Sequence, residues 1–174
     1  MKYVALLRGI NVGTAHRLTM KSLIAVFEQL GYTDVSTYIN SGNVRFVSQE
    51  TAAEIHRRVS EAFAVACAFP VPLLIKSQEQ MRKIAAAVPS EWLNDADQRT
   101  DVAYLFAKID QPATAQQLPM KTEYVKIKYV PGALIWNIDR ANYGKSQLNK
   151  LIGHPLYQSM TIRNENTARK LAEG

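Results

Sequence analysis

The stretch KYVALLRGI, residues 2–10, has a counterpart far along the chain in DVAYLFAKI, residues 101–109. Within them, YVALL and VAYLFA are apolar at every position, a pattern typical of strands that are covered on both faces. A strand with one wet face would alternate apolar and polar residues instead. The pair therefore predicts two related α+β halves that pack on each other.

The residues around the first stretch predict the order of its half. A helix begins after Thr19, which is suited to an N-cap, and ends at Gly31. The strand-like runs DVSTYIN and NVRFVS then form a hairpin around Ser41-Gly42. A helix over 51–67 and a strand over 71–77 complete the order βαββαβ, which is the split βαβ or ferredoxin-like motif.

The second half repeats this order in degenerate form. After the strand within 101–109 come a short helical piece at 112–118 and a hairpin about Pro131-Gly132. A helix over 146–152, the strand-like run SMTIR and a closing helix from Asn164 follow. This arrangement predicts an internal duplication.

Two observations place the junction between the halves. Ser77 and Gln80 have the spacing of a capping box for a connecting helix. The polar stretch at 89–100 then predicts a linker. We therefore predict a tandem pair of ferredoxin-like motifs packed together, with a first half at 1–88 and a second, degenerate half at 101–174.

Composition narrows the classes of function. The 174 residues carry a net charge of +6, with the excess of lysine and arginine at both ends of the chain. Basic surfaces attract polyanions, so the partner is expected to be an anionic small molecule or a nucleic acid. Alternatively, a charge of this size serves only solubility. The oligomeric state is not predicted.

Other classes have little support in the composition. No apolar run has the length of a secretory signal core or a membrane span, so we expect a cytoplasmic protein without a membrane partner. Cys67 is the one cysteine, and the three histidines are scattered, so no metal site and no cofactor are predicted.

The loop after the first strand is the main candidate for a binding site. Glycines allow a close approach to a ligand, the amides at a helix N-terminus favour an anion, and Arg8 or Arg17 adds charge. The candidates in this loop are Arg8, Gly9, Asn11 and Gly13. Their GxxxG spacing matches neither the dinucleotide fingerprint nor the phosphate loop of nucleoside triphosphatases, and a tight bend explains the glycines equally well.

Three further segments contain side chains suited to hydrogen bonding. The turn TYINSGN offers Asn40, Ser41 and Asn43, although asparagine is common in ordinary turns. Lys145 lies in NYGKSQL, which does not complete a phosphate loop because Asp139 stands where its first glycine would be. Arg163 and Asn164 lie in TIRNENT, where a helix cap is the alternative role.

Catalytic groups cannot be nominated. Cys67 lies at the end of an alanine-rich helix, where thiols are usually inert, and no histidine lies near it in sequence. Tyr124, Lys126 and Lys128 form a basic and aromatic stripe that suits a nucleic-acid backbone. Lysines on an edge strand also serve to discourage sheet aggregation.

Four segments together resemble the bacterial domain-of-unknown-function family 1697. They are RGINVG, TYINSGNVRF, YGKSQLNK and TIRNENT, in this order along nearly the whole chain. The resemblance implies an α+β fold built from tandem ferredoxin-like motifs and implies no activity, cofactor or catalytic residue. Two positions depart from that family: Thr14 replaces a second glycine, and Glu165 stands where an aromatic residue is common.

We predict from these patterns a binding protein whose four segments converge on a basic cleft for a phosphate-bearing ligand. The ligands would be held by Arg8, Gly9, Asn11, Gly13, Asn40, Ser41, Asn43, Lys145, Arg163 and Asn164. Three alternatives stay open: nucleic-acid binding through the basic ends, an enzyme of unknown reaction that uses Arg8 and Arg163 as anchors, and a structural module whose unusual segments form only turns and caps.

Overall fold

Strand β1, Lys2–Leu7, is buried at every position after Lys2. It pairs on one side with β3, Asn43–Val47, and on the other with β4, Leu73–Ser77, both antiparallel. Its uninterrupted apolar sequence therefore matches its place in the interior of a sheet, where both edges are hydrogen-bonded and both faces are covered.

The protein is seen in a computed structural model that describes residues 1–11, 17–40 and 42–174. It has two units, Met1–Met81 with Leu171–Gly174, and Arg82–Lys170. The first adds β2, Thr33–Thr37, to its sheet in the order β2-β3-β1-β4. Its helices are α1, Met20–Gln29, and α2, Ala52–Ala66, while α3, Gln78–Ala86, begins in this unit.

Local capping sets where these helices begin. The Thr19 hydroxyl accepts a hydrogen bond of 3.0 Å from the Ser22 amide. Thr51 and Glu54 form a reciprocal capping box at the start of α2, and the Ser77 amide donates to the Gln80 side chain over 2.9 Å. The caps at Thr19 and Ser77 were predicted from the sequence, because a cap depends on residues only three positions apart, whereas the capping box at Thr51 was not.

An aromatic cluster forms the centre of the first unit. Phe27 of α1 lies 5.0 Å from Phe46 of β3 and 6.3 Å from Phe63 of α2, between ring centroids. Tyr32 lies 5.0 Å from Phe46 on the other side. Both helices are therefore held against the same face of the sheet.

The second unit contains the sheet of order β6-β7-β5-β8, with all neighbouring strands antiparallel. Its core gathers Trp136, Leu105 and Met160. The chain is therefore α+β, with two four-stranded antiparallel sheets and, among the described residues, four α-helices. The remaining elements are β5, Gln98–Leu105; β6, Val125–Val130; β7, Ala133–Asp139; β8, Met160–Asn164; and α4, Glu165–Glu173.

The helix predicted over 146–152 is wrong in type. A 3-10 helix spans Leu148–Gly153 instead, after Gln147 in the left-handed conformation. The Ser146 hydroxyl donates to the Tyr143 carbonyl over 2.7 Å and accepts from the Leu148 amide over 3.1 Å. The Ser146 carbonyl, which would accept the first hydrogen bond of an α-helix, accepts from the Lys121 amide over 2.9 Å instead.

Residues 89–100, predicted as a linker, lie in the second unit, and β5 begins among them at Gln98. The boundaries at 88 and 101 stay a prediction. In the part of the chain that the structure describes, no helix is both long and apolar enough to cross a membrane.

A charged network closes one side of the first unit. The Tyr32 hydroxyl donates to Glu50 over 2.9 Å, and the same carboxylate pairs with Arg58. Arg58 also donates to the Leu30 carbonyl over 3.0 Å at the end of α1. Burial raises the pKa of Tyr32 to about 12, and the hydrogen bond to Glu50 adds to the shift.

This shift predicts a loss of stability in alkali. The folded chain holds the Tyr32 proton more tightly than the unfolded chain, where a tyrosine pKa is about 10. The contribution is therefore complete below about pH 10 and is lost as the pH rises towards 12. Between about pH 9 and about pH 11, the free energy of unfolding measured in urea should fall more for the wild type than for Tyr32→Phe. An equal fall of the unfolding free energy in the two proteins would contradict the assignment of this pH dependence to Tyr32.

Candidate functional site

The opening loop and the turn after β2 meet at Asn11. Its side-chain amide donates to the Leu18 carbonyl over 2.9 Å and to the Asn40 carbonyl over 3.3 Å, and its oxygen accepts from the Leu18 amide over 2.9 Å. Asn11 has a φ of 55°, a left-handed conformation that asparagine tolerates. Asn11 therefore ties the two ends of the loop to the turn.

The turn is in contact with the end of β1. The Leu7 amide donates to the Gly42 carbonyl over 2.8 Å. The buried Asn43 side chain donates to the Tyr38 carbonyl over 3.0 Å, which closes the hairpin. The predicted site residues Gly13 and Ser41 lie outside the described residues.

A cavity of about 360 Å³ opens where the loop, the turn and helix α1 come together. Asn11 and Asn40 line it, as do Arg17 and the first residues of the helix. Thr19 and Met20 were not predicted as site residues, although the cap signal at Thr19 already marked a helix N-terminus there. The described residues that line the cavity are Asn11, Arg17, Leu18, Thr19, Met20 and Asn40.

The charge of this cavity is positive. Arg17 is exposed, and no carboxylate occurs among the described lining residues. The first turn of α1 also lacks an acidic side chain, so the partial positive charge of the helix N-terminus is not neutralised there. Both features favour an anion over a cation.

Arg8 and Gly9 belong to the same loop without lining the cavity. The Arg8 backbone amide donates to the Pro72 carbonyl over 2.8 Å. Gly9 is exposed and left-handed, with a φ of 74°. The structure thus brings together the loop and the turn, and the Asn11 side chain holds them in contact.

Three predicted residues lie in the second unit. The Arg163 guanidinium is buried and donates to the Thr161 hydroxyl over 2.9 Å and to the Ile162 carbonyl over 2.8 Å. Asn164 accepts from the Thr167 amide over 2.8 Å and so caps α4. Lys145 is exposed. Their convergence with the loop and the turn stays a prediction.

Burial dominates the chemistry around Arg163. It lowers the pKa of Arg163 to about 10 and raises the pKa of Tyr104 above its ordinary value. The Tyr104 hydroxyl is buried without a hydrogen-bond partner among the residues described here. Burial disfavours the charged form of each group, and the attraction between the two offsets this only in part.

Cys67 gains no support as a nucleophile, and the three residues of the basic stripe lie in different environments. Burial raises the pKa of the Cys67 thiol, whereas reactive cysteines have lowered pKa values. Tyr124 packs against the core of the second unit. Lys128 donates to the Ala87 carbonyl over 2.8 Å, and Lys126 is exposed.

Comparisons with known proteins agree with this fold. A model of the family described as "Protein of unknown function (DUF1697)" matches residues 1–136. The conserved bacterial protein SP0830 from Streptococcus pneumoniae is 29% identical, and the alignment covers 99% of this chain and 97% of that one with a TM-score of 0.86. The search of curated proteins found no match.

Proposed function

The chain belongs to the DUF1697 family, and we propose that it binds a small phosphate-bearing or other anionic ligand in the cavity between the opening loop, the turn and helix α1. The observation that carries the proposal is the positive lining of this cavity, where Arg17 and the helix N-terminus face no carboxylate among the described residues. Anions bind at helix N-termini because the backbone amides there lack internal partners.

The lining suggests a division of roles. Arg17 is exposed and supplies charge-assisted hydrogen bonds to the anion. Asn11 is a positioning residue, since its side-chain amide and oxygen are already bonded to Leu18 and Asn40. Leu18 and Met20 offer an apolar wall for the uncharged part of the ligand. A phosphorylated metabolite has both parts.

The wider prediction extends the ligand site to Lys145, Arg163 and Asn164 of the second unit, in a cytoplasmic protein. It also treats the two units as duplicated ferredoxin-like motifs. The strand orders β2-β3-β1-β4 and β6-β7-β5-β8 support a duplication, because each strand of the first sheet has its counterpart four strands later. Shallow sequence similarity between the halves is expected after such an event.

The test is an NMR titration of the ¹⁵N-labelled full chain with inorganic phosphate, AMP and a short single-stranded RNA. We expect saturable shifts at residues 17–20 and 40 with phosphate and AMP. Arg17→Ala should weaken AMP binding by about tenfold or more, the value of one charge-assisted hydrogen bond. Arg57→Ala is the matched control, because Arg57 is an exposed arginine of the same unit that pairs with Glu61 over 3.0 Å.

The outcomes separate the proposal from nucleic-acid binding. Equal weakening by Arg17→Ala and Arg57→Ala would overturn the cavity as the site. RNA binding that falls steeply with salt, without saturable shifts for phosphate or AMP, would replace the small ligand with a nucleic acid. Absence of saturable shifts for all three probes would overturn anion binding altogether.

A further inference from the structure

A second cavity, of about 670 Å³, lies within the second unit. It is bordered by the end of α3, strand β6 and the start of α4. Ala86, Val88 and Leu93 give it apolar walls, and three charged side chains, Lys128, Glu165 and Arg169, also line it. A volume of this size is typical of sites for small organic ligands.

Glu165 is the unusual member of this lining. Its side chain is only 6% exposed. One carboxylate oxygen accepts from the Arg169 guanidinium, whereas the other accepts no hydrogen bond from the described residues. This second oxygen is not fully buried, so water reaches it in the absence of a ligand. A ligand that donates to this oxygen replaces water there, and a cationic donor forms the strongest such hydrogen bond.

Lys128 supplies the opposite charge. Its ammonium donates to the Ala87 carbonyl over 2.8 Å. This bond fixes the lysine at the cavity with one of its three N–H groups and leaves two for a ligand. The Arg169 guanidinium also lines the cavity, and its Nε donates a hydrogen bond to Glu165. A carboxylate is the group that these cations favour.

We propose that this cavity binds a small zwitterion with an apolar body, of the class of apolar α-amino acids and short apolar peptides. The ligand ammonium would donate to the second oxygen of Glu165, and the ligand carboxylate would accept from Lys128. The apolar side chain would lie against Val88 and Leu93. This site is separate from the anion cavity of the first unit, and the proposal does not rest on the function proposed there.

The test uses four probes that differ in one group each. Leucine and the dipeptide Leu-Leu carry both charges, N-acetylleucine lacks the ammonium, and leucinamide lacks the carboxylate. In NMR titrations of the full chain to about 10 mM, we expect saturable shifts near 86–93 and 165–169 with leucine or Leu-Leu, and at least about tenfold weaker binding of both capped forms. The tighter of the first two probes identifies an amino-acid or a peptide site.

Variants then assign the contacts. Glu165→Gln should weaken the binding of leucine by about tenfold and leave the affinity for N-acetylleucine unchanged, because the capped probe has no ammonium for that carboxylate. Lys128→Ala should weaken the binding of leucine. Lys126→Ala should not, although Lys126 is an exposed lysine of the same strand. No saturable shift with leucine or Leu-Leu would overturn the proposal, as would equal losses of leucine and N-acetylleucine in Glu165→Gln or equal effects of the two lysine variants.

Discussion

Replacing Gly42 by alanine is expected to lower the free energy of unfolding by about 2–4 kcal/mol, since strain and overpacking act together. Gly42 has a φ of 74°, which costs an alanine roughly 1 kcal/mol. The added methyl would also lie 2.9 Å from Leu7 Cβ and 2.9 Å from Ile10 Cδ1. Leu7 and Ile10 are buried in the core cluster of the first unit, so neither can easily move away.

Gly9→Ala is the matched control for this prediction. Gly9 has the same φ of 74°, and nothing lies within 4 Å of the position of its added methyl. It should therefore cost only about 1 kcal/mol, and the difference between the variants isolates the steric part. Equal losses of unfolding free energy in Gly9→Ala and Gly42→Ala would show that the structure around Gly42 accommodates the added methyl, which would contradict the steric part of the prediction.

The readout has to report on the first unit. Both tryptophans, Trp92 and Trp136, lie in the second unit, so their fluorescence does not serve this purpose. Amide exchange in β1 and β3 measures the loss in the first unit directly, while urea unfolding followed by far-UV circular dichroism reports on the whole chain. Faster exchange should centre on residues 5–7 and 43–46.

Much of the fold could be predicted because its signals are local. The start of α2 depends on Thr51 and Glu54, three residues apart, and the covered strand β1 depends on an unbroken apolar run. Both are properties of neighbouring residues. The hairpins β2-β3 and β6-β7 likewise follow from short connections between antiparallel strands.

The candidate sites depend on distant contacts that leave no local signal. Asn11 looks like a turn residue in sequence, whereas its side chain reaches Asn40, 29 positions away. Glu165 lies in the first turn of α4, but only the tertiary structure places it in the same cavity as Lys128. Buried Gln78 likewise donates to the carbonyls of Leu171 and Ala172 over 3.0 and 2.8 Å. Such pairs are set by tertiary packing, and spacing along the chain does not predict them.

Phe27→Ala is expected to cost about 3–5 kcal/mol, the range for a buried aromatic side chain reduced to a methyl. Phe27 is fully buried and lies between Phe46, Phe63 and Tyr32, with centroid distances of 5.0, 6.3 and 6.1 Å. Its loss leaves a cavity where α1 and α2 meet the sheet. Because Phe27 holds α1 against the sheet, the change should also increase amide exchange at residues 17–20, beside the cavity at the N-terminal end of α1.

Phe27→Leu separates the volume effect from any special role of the ring. Leucine keeps most of the apolar contact, so it should cost only about 1–2 kcal/mol. Far-UV circular dichroism in urea compares the two variants, and exchange at residues 17–20 should follow the same order, with Phe27→Ala fastest. If Phe27→Ala lost less than about 1 kcal/mol, the aromatic cluster would collapse around the gap, and helix α1 would be held by other contacts.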